Sequence, residues 1–398
     1  MAKDANNLNL GGEPPIVLYS RQWEENPAKR LRVIDPLERL AASGALEIHP
    51  MEEVFRPDSG FERRRVSALF LYVLDFNAGS PEVARGLRWA LRHGRAVLCD
   101  TDDQYLIPHG ASPFDGPLDP HLPYFEELLK AAHAVTVTGD ALKEEMQALN
   151  DRVVVIPNTV TPAHYVARPA GAGSAPKAGE SLRVGWCGGP THLDDLCLML
   201  PAVAELQARH DFELVLFGMF DEEMSTLVER TRELGAVGGV STGAESSGWI
   251  DAFRRLSRAL EGVRYRHVPS VPYREFPAAL ASLELDIGLC PLHDTRFNRC
   301  KSAVKFYQYA AAGAVTLASD VEPYTHEPCC RTVNTVESWS MALGRLLEDE
   351  GFREACRTQQ RKWVSENRTL ERVGPLYEEL LTQLPARVRA AFRAARSG

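Results

Sequence analysis

The sequence has no apolar run that approaches the ~20 residues needed to cross a bilayer. It has no C-x-x-C pair, and eight cysteines among 398 residues fall far short of a disulfide framework. Cys329 and Cys330 are adjacent, so a structural zinc site is not expected, and no metal ligand set is assigned. G-x-S-x-G, a Walker loop and H-E-x-x-H are all missing, which removes three common hydrolase and nucleotide-binding classes. A basic excess is also missing. Lys+Arg is 45 against Asp+Glu 54, a formal net charge of −9. That sign repels phosphate backbones, so no nucleic-acid partner is expected, while a local basic pocket for a small phosphorylated ligand stays open. The first fifteen residues are polar and carry no signal-type hydrophobic region, so the expected location is cytoplasmic.

What is present is the balance of a globular protein, 44% hydrophobic and 25% charged, at a length that suits two or three domains. Short, nearly continuous apolar runs alternate with amphipathic helical runs. In the first half, strands are expected at 16–19, 46–48, 68–72, 96–99, 135–138 and 153–156. Helices are expected at 35–43, 81–93, 124–132 and 141–149. Continuous apolar strands are what a parallel sheet covered on both faces requires. Residues 168–179, RPAGAGSAPKAG, hold no large apolar side chain and read as a linker. The alternation then restarts. Strands are expected at 182–186, 212–217, 263–268, 285–289, 315–318 and 331–333. Helices are expected at 196–208, 221–234, 250–260, 276–283, 303–312 and 338–348. Such alternation implies right-handed β-α-β units and an α/β fold of two doubly wound, Rossmann-like domains facing a cleft. The expected division is 15–165, a linker 166–180, 181–350, and C-terminal helices 351–398 that either cap the second domain or cross back to the first.

The most informative segment is PLHDTRFNRCKSAVKFYQYAAAGAVTLASDVEPY, residues 291–324. A strand feeds a polar loop, then a helix with Ser302 as expected N-cap. Lys301 and Lys305 lie four apart at the helix start. Two lysines there are most simply a solvated face. Yet they follow a strand end, where open α/β sheets bind ligands, and they oppose the helix dipole, a cost that an anion would relieve. The pair therefore reads as a diphosphate site. In VGWCGGPTHLDDL, Gly188 and Gly189 allow backbone amides to approach a phosphate or sugar, although a plain strand-to-helix turn capped by Thr191 explains the same pattern. His192 sits in that turn. In VLCDTDDQY, Asp100, Asp102 and Asp103 follow a strand end. They suit hydroxyl binding or helix capping better than a metal, because no further ligand lies near. Asn158, in VVVIPNTV, reads as a turn residue. Cys187 and Cys290 read as small core residues.

These residues resemble the GT-B glycosyltransferases, specifically the retaining "group 1" or family-four type. Asn298, Lys301, Ser302 and Lys305 stand in the N-x-x-K-S-x-x-K register that one branch of the family carries. VGWCGGPTH resembles the V-G-W-x-G start of its donor domain, IPNTV its I-P-N-G-V, and DTDD an acidic motif of its acceptor domain. Of the family's two glutamates eight apart, the first position is Cys300 here and the second is Gln308, in QYAAAG. The resemblance implies transfer of a sugar, a hexose by type, from a nucleotide-diphosphate sugar to an acceptor hydroxyl with retention. It also implies no cofactor and no essential metal. Lys301 and Lys305 would stabilise the diphosphate and Asp103 would act at the acceptor, with Asp100 and Asp102 ordering that side. Gly188, Gly189, His192, Tyr273, Asn298, Ser302 and Gln308 would surround the donor, Gln308 facing the ribose and Tyr273 lying near the base. The acceptor is a glycan, a lipid-linked or a small molecule, and peripheral membrane contact is compatible with it. Two alternatives stand beside this reading: a catalytically silent nucleotide-binding module, which the missing glutamates favour, and a nucleotide-sugar epimerase, which needs no acceptor.

Overall fold

The computed structural model describes residues 14–56, 58–77, 79–107, 119–165, 181–219, 252 and 254–397. The expected linker 166–180 and the expected helix 221–234 lie outside them. The described residues form two six-stranded sheets, parallel throughout. The first comprises β1 (Ile16–Tyr19), β2 (Glu47–Pro50), β3 (Val66–Tyr72), β4 (Ala96–Asp100), β5 (Ala134–Val137) and β6 (Val153–Val155), in the order β2-β1-β3-β4-β5-β6. The second comprises β7 (Leu182–Gly188), β8 (Phe212–Gly218), β9 (Tyr265–Val268), β10 (Ile287–Cys290), β11 (Val315–Ser319) and β12 (Cys330–Thr332), in the order β12-β11-β10-β7-β8-β9. Strand order therefore reverses between β1 and β3 in one sheet and between β7 and β10 in the other. Such reversals leave a crevice at the carboxyl ends of the strands.

The apolar strands are continuous because both their faces are covered. Every residue of β3 is buried. Leu69 and Leu71 pack with Val83 and Leu87 of the helix Pro81–Arg92. Ala68, Phe70 and Tyr72 join Tyr377 and Leu381 of the C-terminal helix on the other face. The second sheet divides likewise: Leu214 and Leu216 of β8 face one layer, Val215 and Phe217 the other. Each such Leu or Phe contributes about 1.5–3 kcal/mol of burial.

Two elements depart from the sequence expectation. The run 196–208 is broken into Leu193–Cys197 and Leu200–Gln207. Pro201 has no N–H to donate and its ring collides with the carbonyl four residues back, so the helix restarts there. The donor-loop helix spans Val304–Ala312, with Ala303 and not Ser302 at its N-cap. It ends at Gly313, whose φ of +90° a side chain would resist.

The tail is two helices. Glu350–Asn367 stays on the second domain, where Gln360 Oε1 accepts the Thr316 amide at 2.8 Å. The chain then crosses back. The Val160 amide donates to the Arg368 carbonyl at 2.8 Å, and Leu370–Ser397 lies against the first sheet, with Tyr377 6.2 Å from Phe70 between ring centroids. Among the described residues no helix is long and apolar enough to cross a membrane.

Candidate active site in the interdomain cleft

Both strand-order reversals open onto one cleft of about 710 Å³. The first domain supplies Asn26, Pro27, Ala28 and Leu31 after β1, and Asp102, Asp103 and Tyr105 after β4. The second supplies Gly188, Gly189, Thr191 and His192 after β7, Gly218 and Met219 after β8, and Lys301, Ser302, Lys305 and Gln308 after β10.

Lys305 lies in the first turn of its helix. Its Nζ sits 5.1 Å from the centroid of the Trp186 ring. A Cβ built on Gly188 would lie 2.8 Å from the Trp186 ring and 3.0 Å from that Nζ, so a side chain there would press on the ring that the ammonium covers. Among the described residues no acceptor is within hydrogen-bond reach of it. Burial pushes its pKa down, against the pull of Cys187, Cys290 and Asp195. A charged group in a cleft, with no acceptor and at the wrong end of a helix dipole, is a standing attraction for an anion.

Lys301 is different. Its Nζ is 3.0 Å from Asp103 Oδ2 on the other domain and 4.5 Å from the centroid of the Phe297 ring. Asp103 thus reaches the donor loop directly. Asp102, beside it, accepts from Tyr72 at 2.5 Å and from Tyr105 at 2.9 Å. Burial, then the Asp103 charge, raises the Asp102 carboxyl.

Asp100 does not reach the cleft. It is fully buried, receives Arg32 through Nε at 3.1 Å and Nη2 at 2.8 Å, and takes the Thr136 hydroxyl. The expected acceptor-side role is therefore replaced by a structural one. Arg32 Nη1 continues to Asn158 Oδ1 at 3.2 Å, and Asn158 Nδ2 donates to Ser302 Oγ at 2.7 Å. A polar chain thereby runs from the end of β4 to the donor loop, where Ser302 accepts from Asn158 and does not cap the helix.

His192 Nδ1 lies 2.9 Å from Asp195 Oδ2. Asp195 Oδ1 also accepts the His293 amide at 2.8 Å and Asn298 Nδ2 at 3.3 Å. Asn298 is buried behind the cleft and braces Asp195. Against the pull of Asp195, burial and then the Lys305 charge push the His192 imidazole down to about 3, a shift that favours the neutral ring. The Tyr273 hydroxyl donates to Asp35 Oδ2 at 3.0 Å across the domains. Gln308 has no hydrogen-bond partner among the described residues. Like Tyr273, it lines both the cleft and a second cavity of about 450 Å³.

Gly218 completes the floor. Its φ is +93°, and a Cβ there would come within 2.6 Å of the Gly188 carbonyl, so the ends of β7 and β8 can meet only through glycine.

Sequence reading missed the wall built from residues 26–32, as well as Asp195, Gly218 and Met219. The signal was PAKRLR at a strand exit, three basic residues in six. It reads as solvated until acids 46 and 68 residues away, Asp75 and Asp100, are brought against Lys29 and Arg32.

Comparison with solved structures places this architecture. A sucrose-phosphate synthase from Thermosynechococcus elongatus superposes with a TM-score of 0.61 at 14% identity, over 94% of this chain and 99% of the other. Anabaena HepE, solved with UDP and glucose, gives 0.58 at 11%, over 93% and 100%. The chain has the GT-B fold. A glycosyltransferase from Rickettsia africae gives 0.54 at 10%, over 94% and 99%. No protein-family model matches the sequence, and no curated protein matches it. In this GT-B chain the cleft lies between the two Rossmann-like domains, with the two lysines on the wall formed by the second.

Proposed function

We propose that the protein is a glycosyltransferase that takes a sugar from a nucleoside-diphosphate sugar. The observation that carries this is Lys305, an ammonium without an acceptor among the described residues, set in the cleft beside Gly188. HepE was solved with UDP and glucose, and the shared fold lends the reading support.

In this reading Lys305 meets the diphosphate first, beside the backbone of Gly188 and Gly189. Lys301 exchanges Asp103 for a phosphate oxygen. The two ammonium groups take up the charge that develops as the diphosphate departs, which preorganised cations do at little reorganisation cost. Gln308 accepts from a ribose hydroxyl. Asp103, released from Lys301, and Asp102 hold the acceptor on the opposite wall. Attack from the face that the diphosphate leaves gives retention of configuration. The transferred group is a hexose, and the acceptor is a glycan, a lipid-linked or a small molecule. The lysines supply the positive charge, so no divalent metal or cofactor is required.

The test is transfer and hydrolysis measured over a panel of UDP- and GDP-sugars with the parent and Lys305→Ala. Turnover of one donor, lost in the variant, supports the reading. Turnover that is equal in parent and variant contradicts it.

A further inference from the structure

On the second domain's wall of the cleft, His192 differs in chemistry from the lysines beside it. Lys301, Lys305 and the backbone amides can only donate, and donors suit phosphate oxygens. His192 offers the reverse. One oxygen of Asp195 is occupied by the His293 amide and by Asn298, and the other faces His192 Nδ1. Burial alone would raise the Asp195 carboxyl. The hydrogen bond and the electrostatic pull of His192, then the His293 amide, outweigh it and hold the carboxyl below its usual value. An ionised Asp195 has no hydrogen to give, so the hydrogen of the 2.9 Å contact sits on Nδ1. In a neutral imidazole with Nδ1 protonated, Nε2 carries a lone pair. Nothing among the described residues donates to it, and His192 lines the cleft. A lone pair repels phosphate oxygens and accepts from a hydroxyl.

We infer that His192 Nε2 accepts a hydroxyl hydrogen of the donor's sugar, and that Asp195 is the positioning residue that holds the ring in the required tautomer. This rests on the reading of the cleft as a sugar-nucleotide site. It divides that site into an ammonium part for the diphosphate and an acceptor part for the sugar. The division also accounts for the bracing of Asp195. Thr295 caps the short turn Arg296–Arg299 and fixes Asn298, whose side chain reaches Asp195 and the His293 carbonyl. The donor loop and the glycine turn are thereby tied together through one carboxylate.

The experiment is calorimetric titration of UDP, GDP, UDP-glucose and GDP-mannose into the parent, His192→Ala, His192→Gln, His192→Asn and Asp195→Asn, with circular dichroism to check folding. The parent shows first which nucleotide binds; a parent that binds none defeats the reading of the cleft itself. Given a binding nucleotide, His192→Ala is expected to leave the diphosphate within twofold. It should weaken the matching sugar nucleotide about three- to tenfold, the worth of one neutral hydrogen bond. His192→Gln, whose Oε1 reaches the place of Nε2, should restore most of that preference, and His192→Asn should not. Asp195→Asn presents an N–H to Nδ1, moves the ring hydrogen to Nε2, and should lose the preference with the ring still in place. Equal weakening of diphosphate and sugar nucleotide in His192→Ala would overturn the inference by placing the ring on phosphate. No change in either would remove it from the ligand altogether.

Discussion

Lys301 and Asp103 belong to different domains and form an ion pair 3.0 Å long across the cleft. The pair is mostly sheltered, with side-chain exposures of 14% and 22%. The lysine assigned to the diphosphate therefore carries a counter-anion of its own in the unliganded protein. An acidic cluster confined to the acceptor side would leave donor affinity untouched; this contact couples the two.

The first prediction follows. Asp103→Asn removes a competitor for Lys301 and should tighten nucleoside-diphosphate binding about three- to tenfold, equivalent to ~1 kcal/mol for a partly exposed pair. Transfer should fall in the same variant. Weaker nucleotide binding in titration calorimetry would show that Asp103 orients Lys301 and does not compete for it.

Lys305 gives a prediction of opposite character, because among the described residues it has no acceptor to lose. Lys305→Ala should cost nucleoside-diphosphate affinity about 1.5–3 kcal/mol, the worth of a hydrogen bond to a charged group. Its folded-state pKa is depressed, so the folded protein holds that proton less tightly than the unfolded chain. The burial cost is therefore present at neutral pH and is relieved as pH rises through the folded pKa. Lys305→Met should raise the unliganded melting temperature at pH 7 by a few degrees. A drop of several degrees would mean that the ammonium is held by partners.

Turnover should survive EDTA. The proposed diphosphate site already has two ammonium groups, and the carboxylates of the cleft are engaged with Tyr72, Tyr105 and Lys301. Loss of activity on chelation, restored by magnesium or manganese, would show that a cation bridges the diphosphate.

A fourth prediction concerns the wall that carries Pro27 and Ala28. Lys29 and Asp75 are both fully buried and lie 2.5 Å apart. Burial raises the Asp75 carboxyl to about 6 even with Lys29 beside it. For an acid whose folded pKa is raised, the associated stability is complete below the unfolded value near 3.8 and is lost as pH rises through about 6. Lys29→Met strips the compensating charge. It should destabilise the fold by about 3–5 kcal/mol at pH 7.5 and by less at pH 5, where Asp75 takes up a proton. Chemical denaturation at the two pH values measures this. A loss that does not depend on pH would assign the cost to packing alone.

The fold was legible because its strands are buried on both faces, and burial writes itself into sequence as an apolar run. β3, VSALFLY, could hardly be read otherwise. The donor loop was legible for a local reason: a strand, a polar turn, two lysines and a helix stand next to one another. What sequence could not show are relations over distance. Asp100 read as one of three acids ordering the acceptor side, with a buried structural acid as the alternative, until Arg32, 68 residues away, proved to occupy it. Asn158 looked like a turn residue and Ser302 like a cap, yet each is the other's partner. Asp195 was hidden in LDDL, where a first-turn acid is unremarkable, and only the approach of His293 and Asn298 gives it a task.

The most direct test of the central claim, that Lys305 and its glycine-lined surroundings form the diphosphate site, is thermal unfolding of the parent and Lys305→Ala with UDP and GDP. At a nucleotide concentration 100 times Kd the parent should gain about 2.7 kcal/mol of stability, and the variant should gain clearly less at the same concentration. Equal stabilisation of the two proteins would contradict the account, since the diphosphate would then lie away from Lys305.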